Sequence, residues 1–278
     1  MRVFVSADME GCTGVVTWGQ CAGPATATHD WEFARRMMTH DVNAAIRGAH
    51  TAGASHVIVK DSHGIGKNLL IDELEPGTEL VSGSCWCEDG MVQGVADEAA
   101  AAVLVGYHAR AGTPSAVMEH TMVGGVHRLW INGTEAGEIY LAVATCASRG
   151  VPVVAIVSDA AGCHEARELV PSIHTAVTKH GMGKYLARLL HPDATGRLIR
   201  DQVRDGVLAA ARPAFEVGAE QAVKMQTKST EQADAVADLD GWTREDGYTL
   251  TSEWPDWRTA HVHMLSAFQS IAGAGSRG

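Results

Sequence analysis

Asp8 and Glu10 stand one residue apart in Ser6-Ala7-Asp8-Met9-Glu10-Gly11, where the first apolar run of the chain meets a glycine. Arg2-Val3-Phe4-Val5-Ser6 has the β-branched and aromatic content of a buried strand, and residues two apart in a strand share a face. Two carboxylates leaving a strand on one side make a poor core and a good cation site. Two more predicted strands end in groups of the same kind: Asp61 and His63 after His56-Val57-Ile58-Val59-Lys60, and Tyr107 and His108 after Ala101-Ala102-Val103-Leu104-Val105. Ligands of open parallel sheets bind at the carboxyl edge, and strands about 4.8 Å apart bring such side chains into one pocket. Carboxylates with imidazoles form a hard-to-borderline donor set suited to zinc, with manganese and cobalt as alternatives.

Each of these residues also has a plainer reading. Asp8, taken alone, is as well placed to cap a helix, and isolated histidines such as His63 and His108 are more often surface or core residues. It is the joint placement at three strand ends that favours a metal. His120, in Val117-Met118-Glu119-His120-Thr121-Met122, lies in an apolar stretch. A buried imidazole there serves as base, acid or nucleophile, or else as a hydrogen-bonded core residue. Glu138, in Gly137-Glu138-Ile139-Tyr140, opens a predicted helix, where a carboxylate favours the positive helix end whatever the function. The other histidines show no convergent spacing and read as structural, including His261 and His263, which alternate like a strand within a predicted helix.

The elements that must position these groups alternate between strand and helix, which predicts an α/β fold, a mostly parallel sheet covered by helices on both faces. Residues 11–28 read as a loop and residues 30–51 as a helix, with Phe33, Met37, Val42, Ile46 and Ala49 at helical spacing and Gly53 as its terminator. Glu79-Leu80-Val81-Ser82 reads as a short strand, Leu129-Trp130-Ile131 with Asn132-Gly133 as a hairpin, residues 137–149 as a helix and residues 151–157 as a strand. Residues 175–190 are weakly patterned, and residues 193–212 read as a helix ended by Pro213. A strand-rich stretch with Trp242, Trp254 and Trp257 precedes a helix over about 257–271 and a glycine-rich tail, 273–278, expected to be mobile. The chain divides on this reading into a metal-binding catalytic α/β portion, 1–200, and a smaller C-terminal α+β portion, 201–278.

With 278 residues, 46% of them hydrophobic, the chain is long enough to bury an enzyme-sized core. A formal charge of -11 and the absence of a basic run argue against a nucleic-acid partner. The apolar residues before Asp8 are too few for a signal peptide, and no run approaches the roughly 20 residues of a membrane span; a cytoplasmic protein is expected. Cys12, Cys21, Cys85, Cys87, Cys146 and Cys163 form no disulfide framework, and Cys85-Trp86-Cys87 has one intervening residue where zinc and redox motifs have two. All six are expected to be reduced, structural thiols.

Five motifs, Ser6-Ala7-Asp8-Met9-Glu10-Gly11, Asp61-Ser62-His63, Gly106-Tyr107-His108-Ala109-Arg110-Ala111, Met118-Glu119-His120 and Ile131-Asn132-Gly133 with Gly137-Glu138, closely resemble in order and spacing the zinc-dependent D-aminopeptidases of the DppA type, peptidase family M55. The resemblance spans almost the whole chain. It implies a site of two zinc ions per subunit held by Asp8, Glu10, His63, His108 and Glu138, with Asp8 as the bridge, and so turns Glu138 from a cap into a ligand. It implies that His120 is the catalytic histidine, as nucleophile or as general acid/base. It further implies short peptide substrates with a free amino terminus, a D-amino acid such as D-alanine as the residue released, and a homodecamer of two stacked pentamers. Two features depart from the family's pattern. Glu119 stands where a small hydroxyl residue is expected, and would raise the imidazole pKa of His120 if it faced the ring. The segment 15–27, with Trp18, Cys21 and Pro24, also differs and follows the ligand pair closely enough to line the substrate pocket. The alternatives are a two-metal amidohydrolase of the same fold acting on L-, β-amino or other small amides, and a small-molecule binding protein without catalysis. A nucleoside-processing enzyme would need a phosphate loop or basic cluster, and neither is visible.

Overall fold

The apolar run that opens the chain forms β1 (Arg2–Ala7), an inner strand of a seven-stranded sheet. In this computed structural model, which describes residues 1–21, 23, 28–84, 86–95 and 99–274, the chain continues through α1 (Trp18–Cys21), α2 (Thr28–Thr51), β2 (His56–Asp61), β3 (Thr78–Val81) and β4 (Ala101–Val105). The hairpin β5 (Val126–Ile131) and β6 (Thr134–Glu135) leads to α3 (Glu138–Ser148), β7 (Val153–Asp159) and α4 (Ala160–Leu169). Then come β8 (His174–Gly183), β9 (Leu186–Leu189), α5 (Pro192–Leu208) and β10 (Gln221–Thr227), followed by α6 (Thr230–Ala237), β11 (Thr243–Arg244), β12 (Thr249–Trp254) and α7 (Trp257–Ala274). The large sheet has the order β3-β2-β1-β4-β7-β8-β9, with β9 alone antiparallel to its neighbour. A smaller antiparallel sheet, β11-β12-β10-β5-β6, draws on both halves of the chain. The fold is α/β.

Strand periodicity sorts the core. Val3, Val5 and Ala7 pack with α2 and α5 on one face of the large sheet, while Phe4 and Leu104 pack with α3 and α4 on the other, so the inner strands are apolar on both sides. In α2 the buried residues Ala34, Met38, Val42, Ala45 and Ala49 recur at helical spacing. Gly48 lets α2 lie close against α5, since a Cβ there would sit 2.5 Å from the carbonyl oxygen of Arg200. The smaller sheet closes a second core with α6 and α7, around Leu129, Val223, Met225, Leu250 and Phe268. Asn132 and Gly133, both at positive φ (51° and 80°), make the predicted hairpin turn.

Three sequence expectations change. Helix α4 directly follows β7 and is not among the predicted elements; the Asp159 carboxylate starts it by accepting from Gly162 N at 2.8 Å. The weakly patterned residues 175–190 form β8 and β9, and their pattern is weak because Thr178 and Lys179 are buried to hold loops rather than to fill a core. Cys87 is disulfide-bonded, which corrects the reading of six thiols. It lies in a half-buried stretch beside exposed Trp86, whereas Cys12, Cys21, Cys146 and Cys163 are free and buried in the core, away from oxidant. Cys85 and the tail 275–278 lie outside the described residues. Among the described residues no helix is long and apolar enough to cross a membrane.

Lys179, fully buried on β8, donates through Nζ to the carbonyls of Glu10, Cys12 and Val15, each at 2.6 Å. All three donors of the ammonium are thereby used, and the turn after β1 is fastened to a strand three places across the sheet. Thr178 adds a hydrogen bond to the carbonyl of Gly11 at 2.7 Å. Lys179→Met would leave the carbonyls of Glu10 and Val15 without a donor and that of Cys12 with only Val15 N, and a loss of about 3 kcal/mol of stability is expected. Chemical denaturation checks it; an unchanged midpoint would show that the clamp carries no stability.

Candidate active site

The ends of β1 and β4 touch because both are followed by glycine. Asp8 N donates to Val105 O and Gly11 N to Gly106 O, each at 2.7 Å. A Cβ on Gly11 would lie 2.0 Å from the carbonyl oxygen of Tyr107, and one on Gly106, at φ +73°, would lie 2.1 Å from that of Asp8. Only glycine allows this approach, which sets Asp8 and Glu10 beside His108.

Five side chains converge there: Asp8 and Glu10 from the β1 turn, His108 after β4 and Glu138 at the first turn of α3, all buried, and the half-buried His63 after β2. His63 Nδ1 lies 2.9 Å from Asp8 Oδ1 and 3.1 Å from Glu10 Oε2. His108 Nε2 lies 3.7 Å from Asp8 Oδ2 and 3.2 Å from Glu138 Oε1. The structure brings together all five residues singled out for the metal. His120 joins them, with Nε2 3.4 Å from Glu138 Oε1 and its ring stacked on His108 at 4.0 Å.

Each imidazole is fixed by a carbonyl on its far side. His63 Nε2 lies 3.0 Å from Cys21 O, His108 Nδ1 3.0 Å from Ala109 O, and His120 Nδ1 2.9 Å from Met118 O. A carbonyl only accepts, so these nitrogens carry the protons, and the opposite nitrogens turn their lone pairs toward the carboxylates. Asp8 Oδ2, Glu10 Oε2 and His108 Nε2 are buried without a hydrogen-bond partner. Acceptors facing acceptors out of water require a cation between them. The ligand atoms of Asp8, Glu10 and His108, of His108, His120 and Glu138, and of Glu10, Cys21 and His63 each lie within 4.8 Å of one another.

Protons take the cation's place in the metal-free chain. Burial and the neighbouring Glu10 push Asp8 up to about 7. Burial works against His63 and His108, yet Glu10 lifts the first and Glu138 the second well above the ordinary imidazole value. Burial works against charge on Glu10 too, but His63 holds it well below the usual carboxylate range. His120 moves the other way, lowered first by burial and then by His108.

Two predicted strand-end groups have structural roles. The Asp61 carboxylate accepts from Asn68 N, Asn68 Nδ2 and Leu69 N, closing the loop after β2, and Tyr107 turns its hydroxyl to Ser6 Oγ at 2.8 Å on the core side. Glu119 does not face His120; it accepts from Gly112 N at 2.6 Å and Lys184 Nζ at 2.8 Å. Met118 and Met122, on either side of His120, hold positive φ (51° and 60°), strain of the kind that functional loops keep. From the segment 15–27, Trp18 lines the pocket and meets the His120 ring edge-on at 5.0 Å; residues 22 and 24–27 lie outside the described residues. No local pattern marks Cys21 as a donor beside Glu10 and His63, because the fold makes the contact.

A buried acid and histidine cluster at the carboxyl edge of a parallel sheet, opening into a pocket of about 450 Å³, defines the class: a metal-dependent hydrolase of α/β architecture. Residues 1–266 match the peptidase M55 family, described as D-aminopeptidase. The chain is 34% identical over 202 residues to a D-aminopeptidase of Bacillus subtilis (strain 168), covering 73% of this chain and 72% of that one. A solved structure, the Zn-dependent D-aminopeptidase DppA from Bacillus subtilis, described as a self-compartmentalizing protease, superposes with a TM-score of 0.91 at 29% identity over 98% of both chains. The chain belongs to the M55 D-aminopeptidase family of peptidases.

Because His63 and His108 hold protons that a metal must displace, zinc binding to the metal-free protein is expected to release protons and to tighten as pH rises from about 6 to 8. Calorimetry in buffers of different ionisation enthalpy measures both; affinity that does not vary with pH would contradict the protonated state.

Proposed function

We propose that the chain is a dizinc aminopeptidase that removes an N-terminal D-amino acid, such as D-alanine, from short peptides. The observation that carries this reading is the set of buried, unpartnered atoms Asp8 Oδ2, Glu10 Oε2 and His108 Nε2 facing one another, in a member of the D-aminopeptidase family. The donors fit two cations, with Glu10 and His63 on one side, His108 and Glu138 on the other and Asp8 between them. Zinc, when bound, supplies Lewis acidity and water acidified toward a pKa of about 7.

The chain's own residues do the rest. Met118 O fixes the proton of His120 on Nδ1 and leaves Nε2 as its basic nitrogen. Its lowered pKa keeps the ring neutral at neutral pH, so Nε2 takes a proton from the nucleophile and returns it to the leaving amine. Trp18 closes one side of that ring and keeps bulk water from it. A substrate's free amino terminus is cationic and suits the acidic end of the pocket, where Glu10 and Glu138 lie. For assembly we propose the homodecamer of two stacked pentamers. The exposed Met182, Tyr185, Leu186 and Leu189 of the β8–β9 hairpin offer apolar surface for it, and the Bacillus subtilis structure is described as self-compartmentalizing.

His120→Ala is expected to lower turnover by at least about 10²-fold, the lower end for general acid–base catalysis, with zinc content unchanged; near-normal activity would remove His120 from the chemistry. Asp8→Ala should instead lose metal by elemental analysis, and full occupancy of both sites would refute the bridge. Zinc-dependent cleavage of D-alanyl p-nitroanilide well above the L-isomer, abolished by a chelator, tests the reaction. Preference for the L-isomer or a β-amino amide would favour a different amidohydrolase of this fold.

A further inference from the structure

The same pocket holds a cation of its own. Lys60, the residue of β2 paired in register with Ser6 of β1, is only 4% exposed and lines the pocket with Asp8, Glu10, His120 and Glu138. Its Nζ donates to the carbonyl of Gly83 at 2.8 Å and to that of Asp61. Neither acceptor carries charge. The nearby Asp61 carboxylate is taken up by Asn68 and Leu69, and no carboxylate pairs with Lys60 among the described residues. A buried ammonium held by two dipoles keeps one donor in hand and gains most from an anion that arrives already stripped of water.

The pocket decides where such an anion comes from. Among the described residues no other lysine and no arginine line it, and Trp86, Met91, Met122, Val123 and Leu265 give its lining apolar surface. We infer that Lys60 binds the free α-carboxylate of a short peptide whose amino-terminal amide lies at the acid and histidine cluster. This rests on the aminopeptidase reading and narrows its substrates to peptides short enough to place both ends in a cavity of about 450 Å³. A longer or C-terminally blocked peptide leaves the ammonium without an anion, and such unpaired groups are what give polar sites their discrimination. An acidic side chain offers the same chemistry, so the test separates the two sources.

Calorimetry on zinc-loaded His120→Ala protein, which keeps ligands intact, compares D-Ala-D-Ala, its C-terminal amide, and D-Ala-D-Glu α-amide, whose only carboxylate is on the side chain. The free acid is expected to bind about 10- to 100-fold more tightly than either amide, the range of a hydrogen bond to a charged group. Adding Lys60→Met should erase that preference and Lys60→Arg should keep it, and with His120 present the preference should appear in KM. Equal binding of acid and amide, or a preference that survives Lys60→Met, overturns the inference. Tight binding of the α-amide overturns the assignment to the α-carboxylate. If Lys60→Met does not fold, the acid and amide comparison with Lys60→Arg decides. Hydrolysis of D-peptides without the preference removes the Lys60 role and leaves the aminopeptidase standing, the preference without hydrolysis does the reverse, and no binding removes both.

Discussion

Three carboxylates, Asp8, Glu10 and Glu138, lie buried within reach of one another, and the rest of the structure is arranged around that constraint. Like charges out of water repel and lose hydration, so such a cluster survives only if cations sit among its members and the backbone gives them no room to separate. The imidazoles of His63 and His108 provide the first condition, pushed toward imidazolium by the carboxylates they face, with a carbonyl holding the other nitrogen of each ring. Lys179 and the paired glycines provide the second. One ammonium fastens the turn that carries Glu10, and Gly11 and Gly106 bring two chain reversals closer than any side chain would permit.

The same constraint explains the division of charge within the site. His63 and His108, wedged against carboxylates, are pushed toward imidazolium, while His120, stacked on His108 and partly walled by Trp18, is pushed toward the neutral ring. Histidines within one small volume are thus sorted into groups that hold a cation and one that is free to move a proton. Sorting of this kind, by which neighbour each ring faces, is concentrated at functional sites. Glu119, next to His120 in sequence, does not disturb it, because Lys184 and Gly112 N draw its carboxylate away.

The pocket that holds the acid cluster also holds Lys60, so both signs of charge line it together with apolar side chains. That polarity matches a zwitterion. A free peptide carries its ammonium and its carboxylate at opposite ends, so a pocket with a group for each favours short substrates. The smaller sheet contributes through α7, whose Leu265 closes part of the wall, and through the hairpin β5–β6, which delivers Glu138 immediately afterwards.

Much of this was legible in the chain. The alternation of apolar runs with helical periodicity specified an α/β sheet, and the residue types at the ends of β1, β2 and β4 marked its carboxyl edge as the place for chemistry, because strand periodicity and edge position are local properties. Helix α4 and the strands β8 and β9 were not legible, since their buried polar residues serve distant loops and so erase the pattern that burial normally writes. Nor could the sequence separate Asp61 and Tyr107 from His63 and His108. All four end strands, and only the tertiary structure turns the first two into a loop lock and a core hydrogen bond. The sequence by itself determined which donors the chain owns and which edge they occupy. Their distances, their tautomers, the presence of Lys60 in the pocket and that of Cys21 beside Glu10 and His63 were decided by contacts between residues far apart in the chain, which no local pattern encodes.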